Sequence, residues 1–183
     1  MIMLSSQASP SVDAIAPMRA LLQQLFDVVT RLADAQYTQK PVGVIESSVG
    51  GHVRHCLDHV RSLLDAIDTG ELNYDHRQRG TQVESCSRAA TEQIDELLGE
   101  LDSLDVDVLD RPLVLTTLLA PNDPPVRVVT SVGRELAYVL AHTVHHNALV
   151  GAMVKTLGGW LPERFGYAPS TIKNLEHKSA CAR

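Results

Sequence analysis

The histidines are the residues of this chain whose types and spacing indicate chemistry. Six of the eight fall in two short windows, GGHVRHCLDHV and LAHTVHHNALV. They are His52, His55, His59, His142, His145 and His146. Neutral imidazole is a common ligand of transition metals, and scattered surface histidines would not cluster in this way. The two windows together therefore predict one metal site.

The second window predicts two ligands on one face of a helix. At about 100° per residue, His142 and His146 lie one turn apart on a stripe that faces the protein interior. Two imidazoles in this arrangement are close enough to bind one tetrahedral or octahedral ion. His145 lies off the stripe and is expected at the surface or at an interface, and not as a ligand. Glu135 shares the stripe two turns upstream, either as an acid–base group or in an ion pair with a neighbouring Arg.

A third ligand must come from another helix, because an i, i+4 pair leaves most of the coordination sphere empty. The first window offers three candidates, all on one flank of the apolar stripe of their helix. His55 lies furthest from the centre of that stripe by helical-wheel angle. Helical geometry alone leaves the choice open, with a slight preference for His52 or His59.

Four long segments with helical periodicity are expected to position these residues. They begin after Pro10 and Ser11, after Ser47 and Ser48, at Thr81 and near Ser131. Serine at the second start favours an N-cap, and Thr81 to Glu84 has the pattern of a capping box. Gly70 is expected to end the second helix, and Gly158-Gly159 the fourth, near Leu157. Ser170 is expected to cap a short final helix.

Residues 111 to 130 predict a β-hairpin before the last long helix. β-branched runs after Pro112 and from Val126 flank the turn-forming sequence APNDPP. The chain has 183 residues, which suits one well-cored domain, so residues 1–183 are predicted to form a single, mainly helical domain. Aromatic residues make up only 4%, which leaves aliphatic side chains to build the core.

Charge and cysteine usage exclude several classes of protein. The net charge is −6 with no long basic run, which argues against nucleic acid as a partner. The three cysteines, Cys56, Cys86 and Cys181, have no CxxC spacing, so neither a disulfide framework nor a cysteine zinc site is expected. No signal peptide or apolar span of about 20 residues is present, so we expect a soluble cytoplasmic protein without membrane contact.

The two histidine windows resemble those of the DinB-like proteins. That family has a His near the start of its second helix and an HxxxH on its last long helix, which correspond here to His55 and to His142 with His146. The likeness covers roughly residues 29–157, and the segments 73–79 and 165–171 resemble a subgroup of small standalone members. It implies an all-α, up-down-down-up four-helix bundle, selects His55 as the third ligand, and implies a homodimer.

The resemblance also bears on function, because the family includes bacillithiol and mycothiol S-transferases and a domain of ergothioneine-forming sulfoxide synthases. It implies a divalent ion, Zn, Ni or Fe, with a small-molecule substrate and a low-molecular-weight thiol as cofactor. We expect thiol transfer or hydrolysis. The alternatives are a non-catalytic, stress-related metal-binding dimer and, third, non-haem iron oxygen chemistry. Tyr74, Arg77 and Arg79 are candidate substrate-binding residues, and a solvated turn is the alternative for this charged loop.

Overall fold

The computed structural model describes residues 13–43, 46–76 and 80–181, the last three of these as backbone only. The described chain is mostly helical. Its helices are α1 (Ala16–Val29), α2 (Asp34–Thr38), α3 (Val49–Thr69), α4 (Gln82–Ser85), α5 (Ser87–Asp102), α6 (Val132–Thr156) and α7 (Pro169–Cys181). Its strands are β1 (Glu71–Leu72), β2 (Pro112–Thr117) and β3 (Val126–Ser131), and a 3₁₀ helix spans Val106–Asp110.

The long helices are built on the apolar stripes that the sequence displays. Met18, Leu22 and Leu25 of α1 are fully buried, and α3, α5 and α6 bury equivalent stripes. Helix α3 packs against both α6 and α5, while α1 packs against α5 and α6. The hydrophobic core therefore lies between these four helices, and α3 shares its buried face between two partners.

Both predicted ends of α3 are present in the structure. The Ser48 hydroxyl accepts a hydrogen bond from the backbone N–H of Gly51 at 3.0 Å, which satisfies one of the unpaired donors of the first turn. Gly70 ends the helix in the left-handed conformation, with φ of 74°. The two ends fix the length of α3, and its buried apolar face sets the directions of its three histidines.

The capping box predicted at Thr81 is wrong. The Thr81 side chain makes no capping hydrogen bond, and the Glu84 carboxylate accepts instead from the backbone N–H of Gly80 at 3.0 Å. The third long helix is interrupted at Cys86, whose backbone is extended, so that α4 is a separate turn before α5. This break allows α4 to pack against the first turn of α3.

The predicted β-hairpin is confirmed, and it is part of a small sheet. Strands β2 and β3 are antiparallel, with Leu113 opposite Thr130, while β1 adds in parallel to the other side of β2. Ser131 ends β3 and also caps α6, because its hydroxyl accepts from the backbone N–H of Arg134 at 3.3 Å. The sheet is thereby joined directly to the helix that carries the HxxxH pair. None of the helices in the described ranges has the length and apolar character needed to cross a bilayer.

Candidate metal centre

Three imidazoles from two helices converge where α3 contacts α6. One ring nitrogen from each of His55, His142 and His146 lies within 4.8 Å of the other two. The Nε2 atoms of His55 and His142 are 3.0 Å apart. All three side chains are half-buried.

This donor set fits a transition-metal ion. Imidazole nitrogens bind such ions at about 2.0–2.1 Å, so two nitrogens that share one ion lie about 3 Å apart. The His55–His142 separation has this value. Burial is the main cause that lowers the pKa of His146 to about 3. The neighbouring imidazoles lower it further, and His142 contributes most among them. His146 is therefore neutral near pH 7, which is the form that binds metal.

The structure places His52 beside the group but outside it. Its Nδ1 atom lies 2.9 Å from Nδ1 of His146, and only 9% of the residue is exposed. Burial and then His145 lower the pKa of His52. His145 itself is exposed, as the sequence predicted, and its ring centre lies 5.3 Å from that of His146.

His59 lies on the other side of the group. Its Nδ1 donates to the backbone carbonyl of His55 at 2.9 Å, one turn earlier on α3. The ring stacks on His142, with 4.1 Å between ring centres, and also on the ring of Tyr74, nearly parallel at 4.9 Å. Helical geometry alone favours His52 or His59 as the third ligand, whereas the structure groups His55 with His142 and His146. His52 and His59 lie one turn before and one turn after His55 on α3.

A cavity of about 380 Å³ opens beside this group. Two of the three grouped histidines, His55 and His142, line it, whereas His146 and His52 do not. Its lining residues are His55, His59, Tyr74, Asp75, Leu115, Thr117, Arg134, Glu135, Tyr138 and His142. The cavity therefore gives a small molecule access to one side of the histidine group.

Glu135 is fully buried in the wall of this cavity, and both of its carboxylate oxygens are hydrogen-bonded. Oε1 accepts from the Thr130 hydroxyl and from Nη1 of Arg134, each at 2.8 Å. Oε2 accepts from the Tyr74 hydroxyl at 3.1 Å. Burial, followed by the Glu135 charge, raises the pKa of Tyr74, which keeps its hydroxyl protonated as a donor. The ion pair with a neighbouring Arg, weighed as an alternative for Glu135, is present.

Several residues of the cavity wall went unnoticed in the sequence. Tyr138 precedes His142 by one helical turn, so its spacing is a signal that could have found it. Leu115 and Thr117 reach the site through the pairing of β2 with β1, for which the local sequence holds no signal. Asp75 accepts from the backbone N–H of Leu118 at 2.9 Å and anchors the segment after β1 to the hairpin.

The other predicted site residues divide into those that are described and those that are not. Tyr74 lines the cavity, as a substrate-binding residue must. Arg77 and Arg79 lie outside the described residues. Cys56 is fully buried in the core, and burial raises the pKa of its thiol to about 12, which is typical of a cysteine that packs and not of a nucleophile.

Comparison with known proteins identifies relatives of this chain. The sequence profile of the DinB superfamily matches residues 18–150. The crystal structure of a DinB-like protein from Bacillus subtilis superposes with a TM-score of 0.59, covering 85% of this chain and 99% of that one. At 16% identity this likeness shows the fold alone. FK506-binding protein 5 of Rhizopus delemar is 37% identical over 106 residues, which are 57% of this chain and 28% of that relative.

Proposed function

Because the chain belongs to the DinB superfamily, whose members bind metal, we propose that it is a metal-dependent enzyme acting on a small molecule. One observation carries the proposal. The His55 and His142 ring nitrogens lie 3.0 Å apart, and both residues line a cavity large enough for a small substrate. The pairwise packing of α1, α3, α5 and α6 supports the further proposal of an up-down-down-up four-helix bundle.

His55, His142 and His146 are the proposed protein ligands of a divalent ion, Zn, Ni or Fe. Structural zinc sites usually have four protein ligands, whereas catalytic sites have three and leave a position for water or substrate. A group of three histidines beside a cavity therefore favours catalysis over bracing of the fold. The ion supplies Lewis acidity, which lowers the pKa of a water or thiol nucleophile.

The protein's own residues orient the substrate and restrict its access. The rings of Tyr74, Tyr138 and His59 form an aromatic wall next to the histidine group. Arg134 is held at the cavity by Glu135, and more than half of its side chain is exposed, so its guanidinium is placed to contact an anionic group of a substrate. The thiol or water would lose its proton and attack an electrophilic carbon, whose bond to the leaving group breaks. The leaving group departs with the electron pair and takes up the proton, which gives thiol S-transfer or hydrolysis.

The test uses protein purified without a His tag. Elemental analysis should find one divalent ion per chain, and His142→Ala should remove it, while His177→Ala on the exposed face of α7 should not. The metal-loaded protein should then accelerate attack of cysteine on a chromogenic electrophile, or hydrolysis of a chromogenic ester, and lose this activity with a chelator. Absence of bound metal, or turnover that survives its complete removal, would refute the proposal.

A further inference from the structure

We propose that His52 is a positioning residue for His146: it accepts a hydrogen bond from Nδ1–H of His146 and thereby reserves Nε2 of His146 for the metal ion. The inference rests on the proposed three-histidine metal site and adds to it a fourth histidine that is not a ligand. It concerns the side of the site that faces away from the cavity, since neither His52 nor His146 lines that cavity.

His52 lies outside the group of three histidines whose ring nitrogens converge, so its contact with His146 is not that of two ligands of one ion and instead requires a shared proton. Nδ1 of His52 and Nδ1 of His146 are 2.9 Å apart, which is the distance of an N–H···N hydrogen bond. Two lone pairs at this distance would repel each other, and so would two N–H groups. One nitrogen must therefore donate and the other accept.

Metal binding decides which nitrogen donates. A neutral imidazole carries its proton on one nitrogen and a lone pair on the other, and only the lone pair binds metal. If His52 donated, Nδ1 of His146 would be the acceptor, its proton would sit on Nε2, and neither nitrogen would be available to an ion. If His146 donates from Nδ1, its Nε2 keeps the lone pair. The tautomers of the two histidines are thus coupled.

The surroundings of His52 support a specific role for its Nδ1. The residue is nine-tenths buried, and its Nε2 atom is buried without a hydrogen-bond partner in the described part of the chain. An unpartnered buried polar atom is destabilising, so a histidine here needs a compensating interaction. The hydrogen bond to His146 is that interaction. Ser48 holds His52 in place, since its carbonyl accepts from the backbone N–H of His52 at 3.3 Å, in the capped first turn of α3.

Ligand histidines of metal sites commonly donate their second ring N–H to a fixed acceptor, and loss of that acceptor typically weakens metal affinity 10- to 100-fold. Carboxylates and backbone carbonyls are the usual acceptors. Here a neutral imidazole occupies that place. Unlike a carboxylate, it adds no negative charge behind His146, which leaves the Lewis acidity of the ion undiminished.

The test compares two substitutions of His52 with one control. His52→Asn keeps an acceptor, because the Asn Oδ1 lies close to the position of the histidine Nδ1, whereas His52→Leu keeps the volume and removes the acceptor. His177→Asn is the matched control, at an exposed position of α7. Zinc affinity is measured by competition with a chromogenic chelator, after circular dichroism has shown that each variant is folded.

We expect His52→Leu to weaken zinc binding about 10- to 100-fold, His52→Asn to retain most of the affinity, and His177→Asn to match the parent protein. Long-range ¹H–¹⁵N spectra of the zinc-loaded parent protein should show His146 protonated at Nδ1 and zinc-bound at Nε2. This second readout reports the tautomer directly and stands even if His52→Leu fails to fold.

Four results would overturn the inference and leave the metal site intact, and three of them concern zinc affinity or the tautomer of His146. These three are unchanged affinity in a folded His52→Leu variant, equal losses in the Leu and Asn variants, and zinc bound at Nδ1 of His146. A second zinc per chain that disappears in His52→Leu would also overturn it, because His52 would then be a ligand. Failure of the parent protein to bind zinc, nickel or iron would instead refute the proposed metal site itself.

Discussion

Nε2 of His55 lies 3.0 Å from Nε2 of His142, although 87 residues separate the two in sequence. From this contact we expect His55→Ala to leave no stoichiometric metal. The site would lose one of its three ligands, and that ligand is the one that α3 contributes. Elemental analysis of tag-free protein measures the outcome. His145→Ala is the control, since His145 is exposed on the same helix as His146. Full metal occupancy in His55→Ala would show that another residue is the third ligand.

Removal of the Glu135 charge is expected to lower the stability of the protein. In Glu135→Gln an amide N–H₂ group replaces one of the two carboxylate oxygens. If it replaces Oε1, the Thr130 hydroxyl and Arg134 lose their acceptor, and if it replaces Oε2, the Tyr74 hydroxyl loses its acceptor. The expected cost is about 1–3 kcal/mol in the free energy of unfolding, measured by urea denaturation. Tyr74→Phe removes a single donor and should cost about 1 kcal/mol. A Gln variant as stable as the parent protein would contradict this role.

Substitution by alanine is expected to have opposite effects on stability at two glycines, Gly50 and Gly99. A Cβ on Gly50 would lie 2.2 Å from the carbonyl oxygen of Glu84 and 2.7 Å from the ring of Tyr37, so Gly50→Ala should push α3 away from α4. The expected cost is about 1–3 kcal/mol, from overpacking. Gly99 in α5 has no such neighbour, and Gly99→Ala should stabilise by about 0.5–1 kcal/mol. Thermal unfolding measures both, and equal shifts in Tm would contradict the packing argument.

The helical part of the site could be read from the sequence because it depends on local spacing. His142 and His146 share a face by helical periodicity, and Ser48 and Gly70 mark the ends of α3. The third histidine could not be chosen in this way. The helical wheel measures angles from the centre of the apolar stripe of α3, but α3 packs against both α5 and α6, so the side facing α6 lies on a flank of that stripe. His55 lies on this flank.

The cavity wall and the break at Cys86 depend on contacts between distant segments. Strand β1 has only two residues, too few for a periodic signal, yet its pairing with β2 brings Leu115 and Tyr74 to the same cavity. The interruption at Cys86 separates α4 from α5 where the sequence pattern is continuous, and it accompanies the close packing of Glu84 on Gly50. Such features follow from tertiary packing, which local propensity does not encode.

The low pKa of His146 predicts how stability changes with pH in the metal-free protein. The unfolded chain binds a proton on this histidine below about pH 6.5. The folded protein does not bind it until about pH 3, chiefly because the ring is buried and then because His142 is close. Between these values the unfolded state holds more protons, so stability is present above the unfolded pKa and falls as the pH falls.

The slope contributed by this one group is at most about 1.4 kcal/mol per pH unit. Urea denaturation of chelator-treated protein from pH 7 to pH 4 measures it, and His146→Asn should give a flatter curve than the parent protein, because the titrating ring is gone. Bound metal should raise stability most near pH 7, where neutral imidazoles are available, and progressively less toward pH 4, as protons compete for the unfolded and dissociated ligands. Parallel curves for the parent protein and His146→Asn would show that His146 is not the group held neutral by the fold.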